Sequence, residues 1–354
     1  MESLIPISVC MIAKNEEQYL DECLRLLSPY GLEIVVVDTG STDQTVDIAH
    51  RYTNNVFHFD WCNDFSAARN FSITHATHDW VLILDCDELL EDIDRVTIDQ
   101  LIRLHPQGAG MMLRRNPYTS SGNPNGIMTE RVARLFSRQE YHYRGIIHEQ
   151  IARIDGSAPD YFSIPLDCNH VGYITPETAT LKATRNLELL LAELQTNGPH
   201  PYTYYQIGKS YTVLHNHEKA CYYFDQGLSF DLDPRLEYVQ TMVESYGYAL
   251  LAAKRYHEAL NLENVYAEFA TRADFPFLMG LIYMNNGLFD QAITEFQKAT
   301  SFKNYSVEGV SSYSAFYNIG VIYECTDRPV EAQKYYRKCG DFPLAQSRLH
   351  DLNL

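Results

Sequence analysis

The sequence predicts two folds in one chain: an α/β domain on a mostly parallel sheet, then an all-α solenoid of stacked helical hairpins. Three observations carry this expectation. Up to about residue 174, short apolar or β-branched runs alternate with amphipathic helical segments across short loops. From Thr175 onward that strand pattern disappears. There Gly208, Tyr211, Ala220 and Phe224 recur at identical spacing as Gly280, Tyr283, Ala292 and Phe296, and again as Gly320, Tyr323, Ala332 and Tyr336. The expected boundaries are 1–174 for the α/β domain, 175–198 for a linking helix and 199–354 for the repeats.

Ile5 to Ile12 reads as the first strand, closed by Ala13-Lys14-Asn15-Glu16. Glu17 to Leu27 carries Leu20, Cys23, Leu24 and Leu27 at helical spacing, and Pro29 and Gly31 end that helix. Ile34 to Val37 is a second buried strand that stops at Asp38; Thr39 to Asp43 is a polar turn into a helix over 44–51. Val56 to Phe59 reads as a third strand. This alternation implies right-handed crossovers and parallel pairing.

Trp80 to Leu84 has the apolar character of a strand buried on both faces, and it runs into Asp85-Cys86-Asp87-Glu88. In extended backbone residues i and i+2 share a side, so Asp85 and Asp87 are expected to converge on one ligand. Two hard oxygen donors suit Mg²⁺ or Mn²⁺ carrying a phosphorylated substrate. The competing reading is a solvated acidic turn before a helix that starts near Glu88. Asp38 and the Asp85/Asp87 pair close two buried strands and would face one crevice at the strands' carboxyl ends.

Asp64 to Asn70 opens a helix running to about Thr77. Its N-terminus and Arg69 read as a diphosphate cradle, or else as a capped helix whose arginine pairs with an acid. Met111 to Arg114 reads as a strand and Pro117 to Ile127 as a mobile surface loop. Pro176 to Gln195 is one amphipathic helix with Leu181, Leu187, Leu190, Leu191 and Leu194, closed by Asn197-Gly198-Pro199. The repeats follow, including a degenerate copy at Gly247, Leu250 and Ala259. Their copies stand 39, 33 and 40 residues apart, so two carry insertions. Small residues where two helices touch and aromatics between them mark tetratricopeptide-type hairpins, and four copies suffice for a stacked array.

A formal net charge of -18 argues against a nucleic-acid-binding surface. The eight cysteines show neither a C-x-x-C pair nor zinc spacing and read as reduced, mostly buried thiols of a cytosolic protein. The apolar stretch Leu4 to Ala13 lacks the basic flank and cleavage-like end of a signal peptide. No run approaches the roughly 18 apolar residues that span a bilayer. The expectation is a soluble, cytoplasmic chain.

CMIAKNEE, VVVDTGSTDQT, DFSAARN and LDCDE, in this order, resemble the nucleotide-sugar-binding half of family 2 glycosyltransferases of GT-A, Rossmann-like fold. The resemblance implies a nucleotide-diphosphate sugar donor, a UDP-sugar first, held at Cys10, Ala13, Glu16, Asp38, Arg69 and Asp85. Asp38 would lie near the base or ribose and Arg69 near the phosphates. Asp85 and Asp87 match the family's metal-binding D-x-D; Cys86 departs from the Ala or Ser expected between them and reads as a packed thiol. The series Arg131-Val132-Ala133-Arg134-Leu135-Phe136, Gly145 to Glu149, and His170 to Tyr173 is similar to a subgroup with sublancin-type peptide S-glycosyltransferases and lipopolysaccharide-core β-glucosyltransferases. By that resemblance Glu149 is the general base and His170 completes a Mn²⁺ or Mg²⁺ site with Asp85 and Asp87. Arg131, Arg134 and His148 would be phosphate or acceptor contacts.

The chemistry fits those roles. Attack on an anomeric carbon needs a base for the acceptor proton, typically worth about 10²–10⁴-fold. It also needs a cation to neutralise the leaving diphosphate. Three readings compete. One is transfer of a hexose or N-acetylhexosamine, inverting by resemblance, to a polypeptide held by the repeats. The second is cell-envelope glycan assembly with repeats that pair two subunits into a homodimer. The third is a noncatalytic scaffold. The tyrosine-rich, acidic repeats (Tyr202, Tyr204, Tyr205, Tyr211, Tyr222, Tyr223) and the lack of a basic amphipathic anchor favour the first.

Overall fold

The computed structural model describes residues 4–118, 126–172 and 176–352. The chain divides into two compact units, one of Met1–Pro117 with Thr129–Thr175, the other of Tyr118–Met128 with Pro176–Leu354. Residues 126–128, expected within the α/β domain, cluster with the helical unit, where the Glu308 amide donates to the Ile127 carbonyl at 3.0 Å.

The first unit contains β1 (Ile7–Ala13), α1 (Leu20–Leu27), β2 (Glu33–Asp38), α2 (Thr45–His50), β3 (Val56–His58), α3 (Phe65–Thr74) and β4 (Trp80–Ile83). There follow β5 (Glu88–Leu90), α4 (Arg95–Leu104), β6 (Ala109–Tyr118), β7 (Gly126–Ser137), β8 (Tyr141–Arg144), β9 (Gln150–Arg153) and β10 (Tyr161–His170). Eight strands form one sheet in the order β3-β2-β1-β4-β7-β6-β10-β5, and β8 and β9 form a separate hairpin. β1 runs parallel to both β2 and β4, with Ala13 opposite Asp38 and Cys10 opposite Ile83. β7 and β5 are antiparallel to their neighbours β4 and β10.

The pleat explains why the early strands are apolar throughout. Val9 and Met11 enter one core with Leu20, Leu24, Val36 and Leu82; Cys10 enters the other with Val35, Val81, Ile83 and Phe136. Both faces are covered, so alternation is lost from the sequence. Strand order reverses direction between β1 and β4. In open α/β sheets that switch point, at the carboxyl ends of the strands, is where ligands bind.

Two local expectations fail. Glu88 starts a strand, not a helix, because its carboxylate is completely buried against arginines and its backbone pairs with His170 on β10. Of the loop expected over 117–127, the ends are strand residues of β6 and β7, and 119–125 lie outside the described residues.

The second unit contains α5 (Pro176–Asn197), α6 (Pro201–Val213), α7 (His217–Leu228), α8 (Glu237–Ala252), α9 (Tyr256–Ala259), α10 (Tyr266–Phe269) and α11 (Asp274–Asn285). It ends with α12 (Phe289–Ala299), α13 (Tyr313–Cys325), α14 (Pro329–Arg337) and α15 (Pro343–Leu352). The repeated glycines are explained by contact. A Cβ on Gly208 would stand 2.5 Å from the Phe224 ring; on Gly280, 2.7 Å from Phe296; on Gly320, 2.5 Å from Tyr336. In each hairpin the first helix lacks a side chain where the second inserts a ring, and all three rings are fully buried. In the degenerate copy Gly247 faces Leu278 and Leu262 instead. Its second helix is broken into α9, a 3-10 turn over Leu260–Val265, and α10.

Not every expected contact residue is available on a surface. Tyr205 and Tyr211 are buried in the hairpin packing, whereas Tyr222 is exposed. Leu181 on α5 is exposed and Leu190 buried. Six of the eight cysteines are buried and all are free; Cys62 and Cys325 are exposed. Among the described residues no helix is long and apolar enough to cross a membrane.

Candidate active site

The strand ends of the first unit carry a ladder in which carboxylates and guanidiniums alternate. Arg69 on α3 donates from Nε to Glu149 and from Nη2 to Asp85 at 2.6 Å. Arg134 on β7 donates from Nη2 to the other Asp85 oxygen at 2.7 Å and to Glu88 at 2.8 Å. Arg114 on β6 reaches Glu88 at 2.9 Å and Glu130 at 2.7 Å. Asn116, two residues on, donates to the same Glu130 oxygen at 2.7 Å and faces His170 Nδ1 at 2.9 Å. His170 Nε2 lies 3.1 Å from Asp87 Oδ2. The ladder thus runs from Glu149 to Asp87 without a break.

Burial makes this network consequential. Arg69 and Arg134 are only 6% and 7% exposed. Unpaired charges there would be costly, which is why each guanidinium serves two acids. Burial works to raise the Asp85 carboxyl, and the guanidiniums of Arg134 and Arg69 more than offset it, so Asp85 is held well below the usual carboxylate range. The hydrogen bond to Asp87 raises the His170 imidazole, against the opposing effect of its burial. Buried Arg69 Nη1, Arg134 Nε and Tyr143 Oη have no hydrogen-bond partner among the protein groups, so unused donors line the same network.

Several expected residues sit together here and others do not. Asp85, Asp87, Arg69, Arg134, Glu149 and His170 belong to one ladder. Asp85 and Asp87, however, do not converge: one binds guanidiniums, the other the imidazole. Among the described residues no group of three or more His, Cys, Asp or Glu side chains is placed to hold a metal ion. Arg69 and Arg134 each bridge two acids, while Arg69 Nη1 and Arg134 Nε keep no protein partner. The α3 N-terminus is likewise taken. Asp64 accepts from the Ala67 amide at 2.9 Å, and the Phe65 amide donates to Ile146 at 2.8 Å.

The remaining donor-side expectations divide by burial. Cys10 is inaccessible inside β1, its thiol pushed up to about 12 by burial, so it cannot touch a donor through its side chain. Ala13 is buried, and its carbonyl accepts from Thr39 through both amide and hydroxyl. Asp38 is buried and caps its own turn, accepting from the Gly40 and Ser41 amides at 3.1 and 3.0 Å. The Glu16 amide donates to Thr45 at 2.7 Å, which ties the β1 end to the β2–α2 turn. Arg131 is exposed on β7 and outside the ladder. His148 has a left-handed backbone, φ 52°, directly before Glu149. Tyr173 lies outside the described residues.

Sequence reasoning missed Glu88, Arg114, Asn116, Glu130 and Gly172. Glu88 gave a signal, an acid followed at once by Leu89 and Leu90. Gly172 shows a close approach: a Cβ there would fall 2.1 Å from Asp87 Oδ2 and 3.3 Å from His170 Nε2. That observation bears on a divalent metal. A carboxylate oxygen and an imidazole nitrogen face each other, packed against a glycine with no room for a side chain. Mg²⁺ and Mn²⁺ are commonly carried by one or two protein ligands with phosphate oxygens and water completing the shell. Asp87 and His170 fit that pattern; Asp85 does not.

Comparison with known proteins agrees with the architecture. Residues 8–122 match the family "Glycosyl transferase family 2" and residues 277–305 match "Tetratricopeptide repeat". The TPR repeat-containing protein Synpcc7942_0270 of Synechococcus elongatus is 44% identical over 88 residues, 25% of this chain and 22% of its own. The SPbeta prophage-derived glycosyltransferase SunS of Bacillus subtilis is 28% identical over 229 residues, covering 63% of this chain and 54% of that one. The lipopolysaccharide core biosynthesis glycosyltransferase LpsC of Rhizobium meliloti is 28% identical over 145 residues, 39% and 53% of the two chains. The chain thus spans about half the length of the last two and about a fifth of the first. Residues 8–122, which include Arg69, Asp85, Asp87 and Glu88 of the ladder, are those of a family 2 glycosyltransferase domain, and a tetratricopeptide repeat lies at 277–305 in the helical unit.

Proposed function

We propose that the chain transfers a sugar from a nucleotide-diphosphate donor, a UDP-sugar first, to a polypeptide acceptor. The observation that carries this reading is the Glu149–Arg69–Asp85 bridge. One guanidinium holds a proton-accepting carboxylate beside the acid that closes β4 at the switch point. Glu149, with 10% of its side chain exposed, takes the acceptor proton as the nucleophile attacks the anomeric carbon, and the sugar leaves its diphosphate in one displacement. Asp87 and His170 would hold Mn²⁺ or Mg²⁺. When bound, that ion supplies Lewis-acid neutralisation of the leaving diphosphate. Arg69 fixes Glu149 in place beside Asp85.

The polypeptide acceptor is supported by the helical unit. A cavity of about 520 Å³ there is lined by Phe230, Val239 and Phe269 together with Asp225, Asp231 and Glu268. That size suits a few side chains. The second reading, cell-envelope glycan assembly with repeats that pair subunits, is favoured by the similarity to LpsC.

Full-length protein incubated with Mn²⁺, a panel of UDP-sugars and either peptides or lipid-linked oligosaccharides separates the two by mass spectrometry. Addition of a hexose or N-acetylhexosamine to peptide alone supports the first reading; addition to the glycan alone overturns it. In the same assay Glu149→Gln should leave donor binding intact and lower transfer at least about a hundredfold. A loss under about tenfold would assign the base to another group.

A further inference from the structure

The degenerate hairpin of the helical unit lacks the contact that closes the other three. Gly247 stands where they have Gly208, Gly280 and Gly320. At the spacing that brings Phe224, Phe296 and Tyr336, however, this copy has Glu263, which is exposed. No ring seats on Gly247, and the second helix is broken into α9, the 3-10 turn and α10. The cavity of about 520 Å³ lies along this broken element. Leu262, Val265 and Phe269 line it from the break, Val239 and Val243 from α8, and Phe230 from the α7–α8 connection. Val239, Val243, Leu262 and Phe269 are buried and Phe230 is exposed, so the apolar wall reaches from the interior to solvent.

The charge of the cavity is one-sided. Asp225, Asp231, Glu258 and Glu268 line it, and no lysine, arginine or histidine does. Glu258 is matched by Arg255 at 2.6 Å. Among the described residues Asp225, Asp231 and Glu268, all exposed, are in no ion pair. Nor, among those residues, is any group of three or more His, Cys, Asp or Glu side chains placed to hold a metal ion. A lysine or arginine beside a large apolar side chain answers both the charge and the apolar wall.

A row of rings leads away from the cavity. Phe230 packs on Tyr204 at 6.2 Å between centroids, Tyr204 on Tyr223 at 6.1 Å, and Tyr223 on Tyr222 at 5.2 Å. Tyr222 is exposed and Tyr204 and Tyr223 are half-buried. In an extended chain, side chains on one side recur about every 6.6 Å, close to the spacing of these rings. The row suits an extended peptide better than an isolated small molecule.

We propose that this cavity docks a polypeptide in which a large apolar side chain is flanked by lysine or arginine, with its neighbours extended over Tyr204, Tyr223 and Tyr222. The proposal rests on the reading of a polypeptide acceptor, and it makes that acceptor basic where it docks. The apolar side chain enters the cavity, and the cations meet Asp225, Asp231 and Glu268.

The test measures binding to the full chain by fluorescence anisotropy, with no sugar donor present. The probes are labelled Gly-Ser peptides with a central Lys-Trp-Lys, Lys-Leu-Lys or Glu-Trp-Glu. Both lysine peptides should bind, and Glu-Trp-Glu at least about tenfold more weakly. Asp225→Asn, Asp231→Asn and Glu268→Gln together keep shape but remove charge, and should weaken Lys-Trp-Lys binding at least about tenfold. Asp225→Lys with Glu268→Lys should turn the preference toward Glu-Trp-Glu. Asp290→Asn, Asp327→Asn and Asp341→Asn remove as much charge from exposed acids outside the cavity, and should leave the affinity unchanged. Thermal unfolding confirms that each variant is folded; if the lysine variant is not, the two neutral triple variants carry the test. No binding, equal affinity for the lysine and glutamate peptides, or equal loss in the two triple variants overturns the proposal. The same anchor is then fused to segments bearing Ser, Thr, Asn or Cys and incubated with Mn²⁺ and UDP-sugars. If the fusions bind through these carboxylates and only lipid-linked oligosaccharide is glycosylated, the docking site stands and the polypeptide-acceptor reading falls.

Discussion

The two units solve burial in opposite ways. At the strand ends of the first, two buried arginines and a partly buried third are matched with acids that are buried or partly buried, and order comes from matched charges. In the second, order comes from shape: a glycine on one helix receives a ring from the next. The helical unit does bury one charged group of its own, and there the balance is uneven. Arg272 meets both Glu244 and Asp274. Asp274 also accepts from the Ser306 and Val307 amides and the Ser306 hydroxyl. Glu244 is left under-compensated, and burial pushes its carboxyl up to about 7. Buried charge is concentrated where the candidate chemistry is, and shape suffices where only stacking is needed.

The sharpest way to break that contrast is Arg69→Met. It leaves Glu149 and one Asp85 oxygen without their guanidinium, and breaking a buried pair costs about 3–5 kcal/mol. Denaturant unfolding of the first unit should show that loss. The same change at Arg255, whose pair with Glu258 is about one-third exposed on both sides, should cost only about 0–1 kcal/mol. Equal losses would mean that burial does not set the value of these pairs.

Gly280→Ala tests the shape rule. At an open helical site the change would stabilise by about 0.8–1 kcal/mol. Here the new methyl meets the buried Phe296 ring, and overpacking of this kind costs typically 1–3 kcal/mol, so the sign should reverse. A rise in Tm would show that the ring yields.

The smallest effect concerns Glu244. Its folded value, about 7, lies above the unfolded value near 4.3, so the folded state holds the proton more tightly. The stability this contributes is complete below about pH 4.3 and is lost as pH rises through about 7. Thermal scans of the full chain should show a decline of about 2–4 °C for each kcal/mol of that contribution. Glu244→Gln should flatten it; an unchanged slope would assign the titration elsewhere.

What the sequence revealed follows the same division. The hairpin locks were legible because partners such as Gly208 and Phe224 lie within one helical pair and repeat. The parallel strands were legible from their apolar runs, with ends misplaced by a residue or two. The ladder was not. Arg134 meets Asp85 across 49 residues and His170 meets Asp87 across 83, and no local pattern encodes such pairs. Asp85 and Asp87 therefore read as one metal-binding pair. The fold assigns them separate partners: guanidiniums for Asp85 and Glu88, imidazole for Asp87.

The length of one ladder rung has a consequence for how the molecule is made. Arg69 and Glu149 are 80 residues apart in the chain. At a synthesis rate of about 5–20 residues per second, roughly 4–16 s separate the appearance of the arginine from that of its carboxylate. Throughout that interval the guanidinium has half its counter-charge and no reason to leave water. The nascent sheet can collapse around β1, β2 and β4, but its strand-end cluster must stay hydrated and open. The strand-end crevice thus closes only after Glu149 has been made.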